Sequence, residues 1–271
     1  MRCAIISDIH GNLDALEAVL ADAGPVDAIW CLGDLVGYGP EPNACVDALR
    51  QAGALCVAGN HDWAAIGKMD TADFNPEASE AALWTGAQLT PQHRDYLQNL
   101  PTQLSAGPSG EFTLVHGSPR DPVWEYLTHL SAARLNFPFF QTPYCLVGHT
   151  HVPLVFQQPW PDDRAEEYET LVPEPGQPLT LGPRRLIVNP GSVGQPRDGN
   201  PDASYMLYEP APPSSPDTVA GEGAGSGESS RLAGRGTLTL RRVTYPIASV
   251  QQKMRQAGLP PRLIMRLTYG W

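Results

Sequence analysis

Eight polar side chains stand just past short apolar runs that are typical of buried strands. Five of the seven histidines in the chain are among them, which random scatter would not produce. Open α/β sheets place their sites at the carboxyl ends of strands, and carboxylate, imidazole and amide groups can hold metal ions or move protons. The pattern therefore predicts a metal site. The eight residues are Asp8, His10, Asp34, Asn60, His61, His116, His149 and His151.

The stretch at residues 57–62 shows the pattern most clearly. The apolar run 54–57 is typical of a buried parallel strand, and it breaks at Gly59 into Asn60, His61 and Asp62. These three side chains can hold a metal or move a proton. Alone they are a weak signal, because Asn and His are common in loops, and their weight comes from the other strand ends.

The chemistry of the predicted ligands indicates which ions they would bind. Carboxylate, imidazole and one amide, with no thiolate, suit Mn²⁺, Fe²⁺ and Zn²⁺ better than Ca²⁺ or Mg²⁺. Seven ligands exceed the need of one ion, and a carboxylate such as Asp34 can bridge two ions at the roughly 3.5–4 Å separation of two-metal hydrolases. Such ions activate a bound water and clamp both oxygens of an in-line phosphoryl transfer. We predict two divalent ions, with Mn²⁺ favoured and Fe²⁺, Zn²⁺ or Ni²⁺ as alternatives.

The apolar pattern predicts a βαβαβ opening and therefore a largely parallel sheet. Because the predicted strands exceed what one sheet holds comfortably, we expect two packed sheets with outer helices. The strands are predicted at 2–7, 27–32, 54–57, 111–115, 144–147, 152–157, 185–188, 204–209 and 237–244, and helices at 13–23, 43–51, 248–257 and, shorter and basic, 262–267.

We expect one domain over residues 1–271 with three distinctive regions. Residues 63–101 look helical and are interpreted as a cap over one side of the site. Residues 158–184 are rich in proline and acidic groups and are interpreted as a surface excursion. Residues 210–236 contain only two bulky aliphatic side chains, Val219 and Leu232. That segment cannot bury enough apolar surface to order itself, so we predict a disordered hairpin-loop insertion.

Composition excludes several classes of protein. A net charge of −11 argues against non-specific binding to a nucleic-acid backbone, but it allows a small phosphorylated substrate held by metal ions. The five cysteines form no metal-type or disulfide framework and indicate free thiols of a reducing compartment. The chain begins directly with a strand, without a signal peptide, and has no apolar run of membrane-spanning length. We expect a cytoplasmic protein.

The ordered motifs of the chain resemble those of the calcineurin-like metallophosphoesterases. The resemblance implies a four-layer αββα sandwich with two mixed β-sheets and outer helices. It implies one ion held by Asp8, His10, Asp34 and His151, and another held by Asp34, Asn60, His116 and His149. His61 would be a non-ligand that steadies the transferring phosphate or protonates the leaving oxygen. The motifs are Asp8-x-His10, Gly33-Asp34, Gly59-Asn60-His61-Asp62, His116-Gly117 and Gly148-His149-Thr150-His151, followed by the strand-turn 189–193 found in small bacterial members.

The chain departs from the protein serine/threonine phosphatase branch at one place. Gly37 and Tyr38 stand where that branch has an Asp that orients the acid histidine and an Arg that grips phosphate. Because a diester carries one charge, which two metal ions can neutralise alone, we favour a phosphodiesterase for small nucleotide-like diesters. Tyr38 could touch the substrate or stack on a base. Arg197 could reach an anionic substrate, although a surface turn also explains it.

Other functions stay open at this stage. The chain could be a phosphomonoesterase, a protein phosphatase or a dinucleoside polyphosphate hydrolase. A catalytically silent metal-binding scaffold is disfavoured, because neither a ligand nor His61 is missing. A nuclease acting on long DNA is disfavoured by the acidic charge and the lack of a basic stripe.

Overall fold

The computed structural model describes residues 1–160, 167–212 and 235–271. Most of the insertion predicted at 210–236 lies outside these residues. The strands are β1 (Cys3–Ile6), β2 (Ala28–Cys31), β3 (Leu55–Cys56), β4 (Gln103–Ala106), β5 (Phe112–Val115), β6 (Tyr144–Leu146), β7 (Leu154–Gln157), β8 (Glu169–Leu171), β9 (Pro178–Thr180), β10 (Leu186–Asn189), β11 (Ala203–Glu209) and β12 (Thr237–Val243). The helices are α1 (Leu13–Ala23), α2 (Pro42–Gln51), α3 (Asn60–Ala65), α4 (Pro76–Gln88), α5 (Pro91–Gln98), α6 (Leu130–Asn136), α7 (Ile247–Gln256) and α8 (Pro261–Arg266), with a short 3₁₀ helix at Phe137–Phe139.

These strands form two mixed sheets of six strands each. The first has the order β3-β2-β1-β11-β12-β9 and the second the order β4-β5-β6-β10-β7-β8. In the first sheet β1, β2 and β3 are parallel, and in the second β5, β6 and β10 are parallel, whereas the other neighbours are antiparallel. Each sheet therefore presents the carboxyl ends of three neighbouring strands at one edge.

Alternate strand residues face opposite sides of each sheet, and this alternation builds the layers. Between the sheets, Ile5 and Trp30 of the first pack with Phe112 and Tyr144 of the second, and the rings of Trp30 and Phe112 are 5.1 Å apart. The outer face of the first sheet is covered by helices that include α1 and α7. The outer face of the second is covered by α6 and the 3₁₀ helix. The predicted four-layer αββα architecture is confirmed.

The region 158–184, which was interpreted as a surface excursion, also supplies one edge strand to each sheet. This region contains β8 and β9, which pair with β7 and β12 and form the outer edge of each sheet. Both strands have only three residues, and their side chains are mostly exposed, so no apolar alternation marks them. Pro178 lies on the edge strand β9, a position where the missing backbone N–H is tolerated. Short edge strands of this kind carry too little sequence signal to be recognised.

Three further predictions can be compared with the described residues. All five cysteines are free and buried, as predicted. None of the described helices combines the length and the apolar character that crossing a bilayer requires. Region 63–101 contains α4 and α5, in agreement with its predicted helical content.

Candidate metal centre

All eight predicted site residues converge where the parallel strands of the two sheets end. Each is buried, with an exposed fraction of at most 5%. The first sheet and the second sheet thus contribute to one site, because their carboxyl ends lie at a common edge. Asp8 and His10 follow β1, Asp34 follows β2, Asn60 and His61 follow β3, His116 follows β5, and His149 and His151 follow β6.

The potential ligand atoms fall into two main groups. Asp8, His10 and His151 offer atoms within 4.8 Å of one another, and so do Asp34, His116 and His149. Asn60 adjoins the second group, with its Oδ1 atom 3.1 Å from Nε2 of His116. A third group of His10, Asp34 and His61 meets the same limit. Distance alone therefore does not separate His61 from the ligands.

Asp34 lies between the two main groups. Its Oδ2 atom is 3.6 Å from Nε2 of His10 and 3.3 Å from Nε2 of His116. Its Oδ1 atom accepts a hydrogen bond of 2.8 Å from the backbone N–H of His61. Oδ2 is buried and receives no hydrogen bond. An unsatisfied buried carboxylate oxygen is costly, and here it points to the place where a cation would satisfy it.

Three of the histidines are held in a defined tautomer. One ring nitrogen of each donates to a backbone carbonyl, which can only accept, so in the neutral ring the other nitrogen carries a lone pair directed at the centre. Outer partners of this kind orient histidine ligands in metal proteins. The bonds are from Nδ1 of His116 to Leu32 (2.8 Å), from Nδ1 of His151 to Gln195 (2.6 Å) and from Nε2 of His149 to Trp124 (2.9 Å).

Ring nitrogens of four of the histidines face one another in pairs at short range. Nε2 of His10 is 3.1 Å from Nε2 of His151, and Nε2 of His116 is 3.2 Å from Nδ1 of His149. Acceptor atoms at such distances repel unless a proton or a cation lies among them. Imidazole, carboxylate and amide donors together suit borderline divalent ions. The residues present therefore fit divalent metal ions.

Protonation equilibria support the same conclusion. Burial lowers the pKa of His10, His149 and His151 well below its ordinary value. Burial acts in the same direction on His116, but the neighbouring Asp34 carboxylate outweighs it and raises the pKa of His116 to about 9. The centre thus keeps most of its imidazoles neutral, as metal ligation requires, and favours positive charge beside Asp34.

The backbone at the site is strained. Five of the eight residues adopt the left-handed region, which costs roughly 1–3 kcal/mol for each non-glycine residue and persists only where surrounding contacts enforce it. Aspartate and histidine tolerate this conformation better than most residues. Such strain concentrates at ligand clamps and active sites. The φ values are 54° for Asp8, 51° for His10, 53° for Asp34, 67° for His149 and 61° for His151.

Asp62 holds the loops that carry the ligands. Its Oδ1 atom accepts a hydrogen bond of 3.1 Å from the backbone N–H of Val36, and its Oδ2 atom accepts one of 2.9 Å from Gly59. Both carboxylate oxygens are therefore engaged by the backbone. Although the sequence offered Asp62 as a group for chemistry, the contacts make it a positioning residue that joins the loops after β2 and β3.

The turn at 189–194 performs a similar role across the two sheets. Asn189 is the last residue of β10 in the second sheet, and its Nδ2 atom donates a hydrogen bond of 2.6 Å to the carbonyl of Gly148. Ser192 donates from Oγ to the carbonyl of Asp8 at 2.8 Å, and the N–H of Gly194 donates to the same carbonyl at 2.9 Å. The strand-turn noticed in the sequence therefore ties the loop after β1 to the loop after β6.

Gly59 approaches Asp34 so closely that a side chain cannot fit. A Cβ atom at position 59 would collide with Oδ1 and the backbone nitrogen of Asp34. We expect Gly59→Ala to displace Asp34, to lower the free energy of unfolding by about 1–3 kcal/mol through overpacking and to reduce bound Mn²⁺. Thermal unfolding and metal analysis would measure both effects. Gly182→Ala is the control, since a Cβ atom there meets nothing within 4 Å. Equal behaviour of the two variants would contradict the prediction.

His61 lies against aromatic rings. Its ring centroid is 4.3 Å from that of Tyr38 and 4.9 Å from that of Phe74. Its Nδ1 atom is buried without a hydrogen-bond partner, and a Cβ atom at Gly37 would be 2.9 Å from it. Position 37 therefore adjoins Nδ1, and glycine there leaves it without an orienting carboxylate. Burial lowers the pKa of His61 to about 4, so the ring is neutral at pH 7.

Tyr38 and Arg197 lie together beside the centre. Tyr38 is 4% exposed, and its ring packs against those of His10 at 4.5 Å and His61 at 4.3 Å. Because both neighbouring rings cover it, the Tyr38 ring does not stack on a base of the substrate. The hydroxyl is the part of Tyr38 that could form a hydrogen bond to a substrate. Arg197 donates from Nη2 to that hydroxyl at 3.4 Å, and its guanidinium carbon is 5.8 Å from the centroid of the Tyr38 ring.

Sequence reasoning missed two residues next to the centre, Arg266 and Tyr126. Arg266 of α8 places its guanidinium carbon 5.9 Å from the centroid of the Tyr38 ring. The basic character of this helix was visible in the sequence, but its position was not. On the opposite side, Tyr126 is 46% exposed and its ring centroid is 3.7 Å from that of His149. Tyr126 lies in an irregular segment that carries no periodic signal.

Comparison with known proteins identifies the family. A family model described as the calcineurin-like phosphoesterase superfamily domain matches residues 1–211. The chain belongs to this family. The resemblance carried by the sequence motifs is thereby confirmed, and the protein is a metallophosphoesterase, a hydrolase that acts on phosphoesters.

Several proteins are similar to this phosphoesterase. The solved metallophosphoesterase from Sphaerobacter thermophilus is 46% identical, with a TM-score of 0.80, and the match covers 100% of this chain and 99% of that one. An uncharacterized protein of Methanocaldococcus jannaschii is 38% identical over 210 residues, which are 76% of this chain and 82% of its own. A symmetrical bis(5'-nucleosyl)-tetraphosphatase of Photorhabdus laumondii is 33% identical over 125 residues. That match spans 40% of this chain and 46% of the tetraphosphatase.

Proposed function

We propose that this phosphoesterase works with two divalent metal ions that share Asp34. One ion would be held by Asp8, His10, Asp34 and His151, and the other by Asp34, Asn60, His116 and His149. The observation that carries the proposal is the buried Oδ2 atom of Asp34, which lacks a hydrogen-bond donor and lies between the two groups of histidines. We favour Mn²⁺ because it accepts oxygen and imidazole ligands together.

The two ions would supply charge neutralisation and activation of water when bound. The residues of the chain do the rest. Backbone donors fix Asp8 and Asp34, since His149 donates to Asp8 at 3.1 Å and His61 donates to Asp34 at 2.8 Å. Packing between Tyr38 and Phe74 orients the His61 ring, which would hydrogen-bond to a phosphate oxygen or give a proton to the leaving oxygen.

We propose a small nucleotide-like phosphodiester as the substrate. Tyr38 stands where the protein phosphatase branch has an arginine, but Arg197 and Arg266 both lie against the Tyr38 ring and bring positive charge to this side of the centre. Their contacts are with Tyr38 and its surroundings. No ion pair joins either of them to Asp8 or Asp34 in the part of the chain that the structure describes. Their charge would therefore meet a second group of the substrate, which a diester has and a simple phosphomonoester lacks.

Hydrolysis of dinucleoside polyphosphates is the second candidate function. The relatives named bis(5'-nucleosyl)-tetraphosphatases support it, although the first of them matches over less than half of its length. The pair Arg197 and Arg266 also supports it, because guanidinium groups recognise phosphate strongly. We also propose that region 63–101 caps one side of the site. The contact that supports this proposal is between Phe74, which belongs to that region, and His61.

A comparison of two chromogenic esters tests the preference for diesters. We expect kcat/KM for bis-p-nitrophenyl phosphate to exceed that for p-nitrophenyl phosphate at equal pH and Mn²⁺ load. The physical reason is that a diester adds a second substituent for the residues beside Tyr38, whereas a monoester dianion adds a charge at the metal ions. A monoester advantage of about tenfold, which corresponds to about 1.4 kcal/mol of transition-state binding, would overturn the preference.

A further inference from the structure

A cavity of about 190 Å³ lies between the start of α4 and helix α8. Two contacts connect it to the metal centre. Arg266 lines the cavity and lies 5.9 Å from the Tyr38 ring, while Asn75, another lining residue, directly follows Phe74, whose ring is 4.9 Å from that of His61. The cavity is therefore on the His61 side of the centre. Its lining includes Asn75, Glu77, Met265, Arg266 and Trp271.

The cavity lining contains one ion pair, Arg262 with Glu77 at 3.5 Å, and beside it stand two arginines that lack such a partner. Arg266 and Arg197 lie against the same Tyr38 ring, and among the described residues neither forms an ion pair with an Asp or Glu side chain. Arg266 donates from Nε to the main-chain oxygen of Trp271, and Nε of Arg197 is buried without a partner. Burial and the charge of Arg197 lower the pKa of Arg266 to about 10, which leaves it protonated at neutral pH. Two such cations attract an anion.

We infer that Arg266 and Arg197 bind a phosphate in the leaving group of the substrate, and that the cavity receives the nucleoside attached to it. The inference rests on the proposed function, in which His61 faces the leaving oxygen. It narrows the substrate class to phosphoesters and phosphoanhydrides whose leaving group is a nucleoside phosphate. Trp271, which is 59% exposed, offers a ring at the cavity for a base to stack on.

Kinetics with two leaving groups test this assignment. Bis-p-nitrophenyl phosphate has a leaving group without phosphate, and a bis(5'-nucleosyl) tetraphosphate has one with phosphate. We expect Arg266→Gln to lower kcat/KM for the tetraphosphate at least tenfold, mainly through KM. The fold-loss in kcat/KM for the phenyl ester should be at least five times smaller than the fold-loss for the tetraphosphate. Arg266→Lys should recover part of the loss, because it restores the charge but not the planar fork. Equal losses on both esters, or no loss, would overturn the inference.

Binding to the metal-free protein gives a readout that needs no turnover. We expect ADP, measured by calorimetry in the presence of EDTA, to bind Arg266→Gln at least tenfold more weakly than the unmodified protein. Arg255→Gln is the control, because Arg255 is exposed on the neighbouring helix α7 and does not line the cavity. Equal affinity in the two variants, or no ADP binding by the unmodified protein, would overturn the inference. If Arg266 controls ADP binding but no diester or polyphosphate is hydrolysed, the subsite stands and the proposed function fails.

Discussion

Replacing Asp34 by Asn is expected to abolish the shared metal site and to lower kcat by at least about 10³-fold, or about 4 kcal/mol. Asn has nearly the same shape, so its Oδ1 atom can keep the hydrogen bond from the His61 backbone. Its Nδ2 group, however, would present N–H donors to His10 and His116, where Oδ2 of Asp34 presents lone pairs. The substitution therefore removes the ligand while preserving the fold.

Stability without metal separates this effect from simple unfolding. In the metal-free state the Asp34 carboxylate lies 3.3 Å from Nε2 of His116 and raises the pKa of that ring to about 9, and an amide does not provide this attraction. We expect metal-free Asp34→Asn to unfold cooperatively but to melt below the metal-free unmodified protein. Asp95→Asn, an exposed change on α5, is the matched control for both measurements.

Elemental analysis decides the number of ions. The unmodified protein reconstituted with Mn²⁺ should contain two ions per chain, and the Asp34→Asn variant should contain fewer. A freshly reconstituted, fully active sample with one ion would refute the dinuclear proposal. A variant that retained two ions and full activity would show that Asp34 is not the shared ligand.

Replacing His61 by Ala is expected to leave the metal content unchanged and to lower turnover by roughly 10²–10⁴-fold, as for loss of a general acid or a phosphate donor. The backbone N–H of His61 still donates to Asp34 in the variant, so the carboxylate stays in place. The lost group is the ring, which lies at the edge of the ligand cluster next to Tyr38 and Phe74. Loss of metal would identify His61 as a ligand, a role that its distance to His10 and Asp34 also allows.

The leaving group distinguishes the two roles proposed for His61. A p-nitrophenolate needs no proton, whereas the oxygen of a nucleoside does, so an acid role predicts a much smaller loss with p-nitrophenyl esters. With a pKa of about 4, His61 is neutral at pH 7 and would act as an acid only if a bound phosphate raised that value. Equal losses with both substrates would assign His61 to hydrogen bonding. His129→Ala, at an exposed position, is the control.

The sequence by itself determined the order of the strands that carry chemistry and the family of the protein. Each of these strands is a compact apolar run, and each ends in Asp, Asn or His within a few residues, so the signal is local. The opening βαβαβ pattern also follows from local periodicity: α1 spans Leu13–Ala23 as predicted, and α2 begins one residue before the predicted 43. Local signals of this kind survive folding because tertiary packing uses the same apolar faces.

Only the tertiary structure decided which groups face one another. The approach of Arg266 to Tyr38 joins residues 228 positions apart (266 − 38), and no local pattern encodes such a contact. The edge strands β8 and β9 are held by pairing with β7 and β12, because their own side chains are mostly exposed. Asp62 became a positioning residue because the loop after β2 folds back onto it. In each of these cases the stabilising contacts are made with residues distant in the chain. A pattern among neighbouring residues therefore does not predict them.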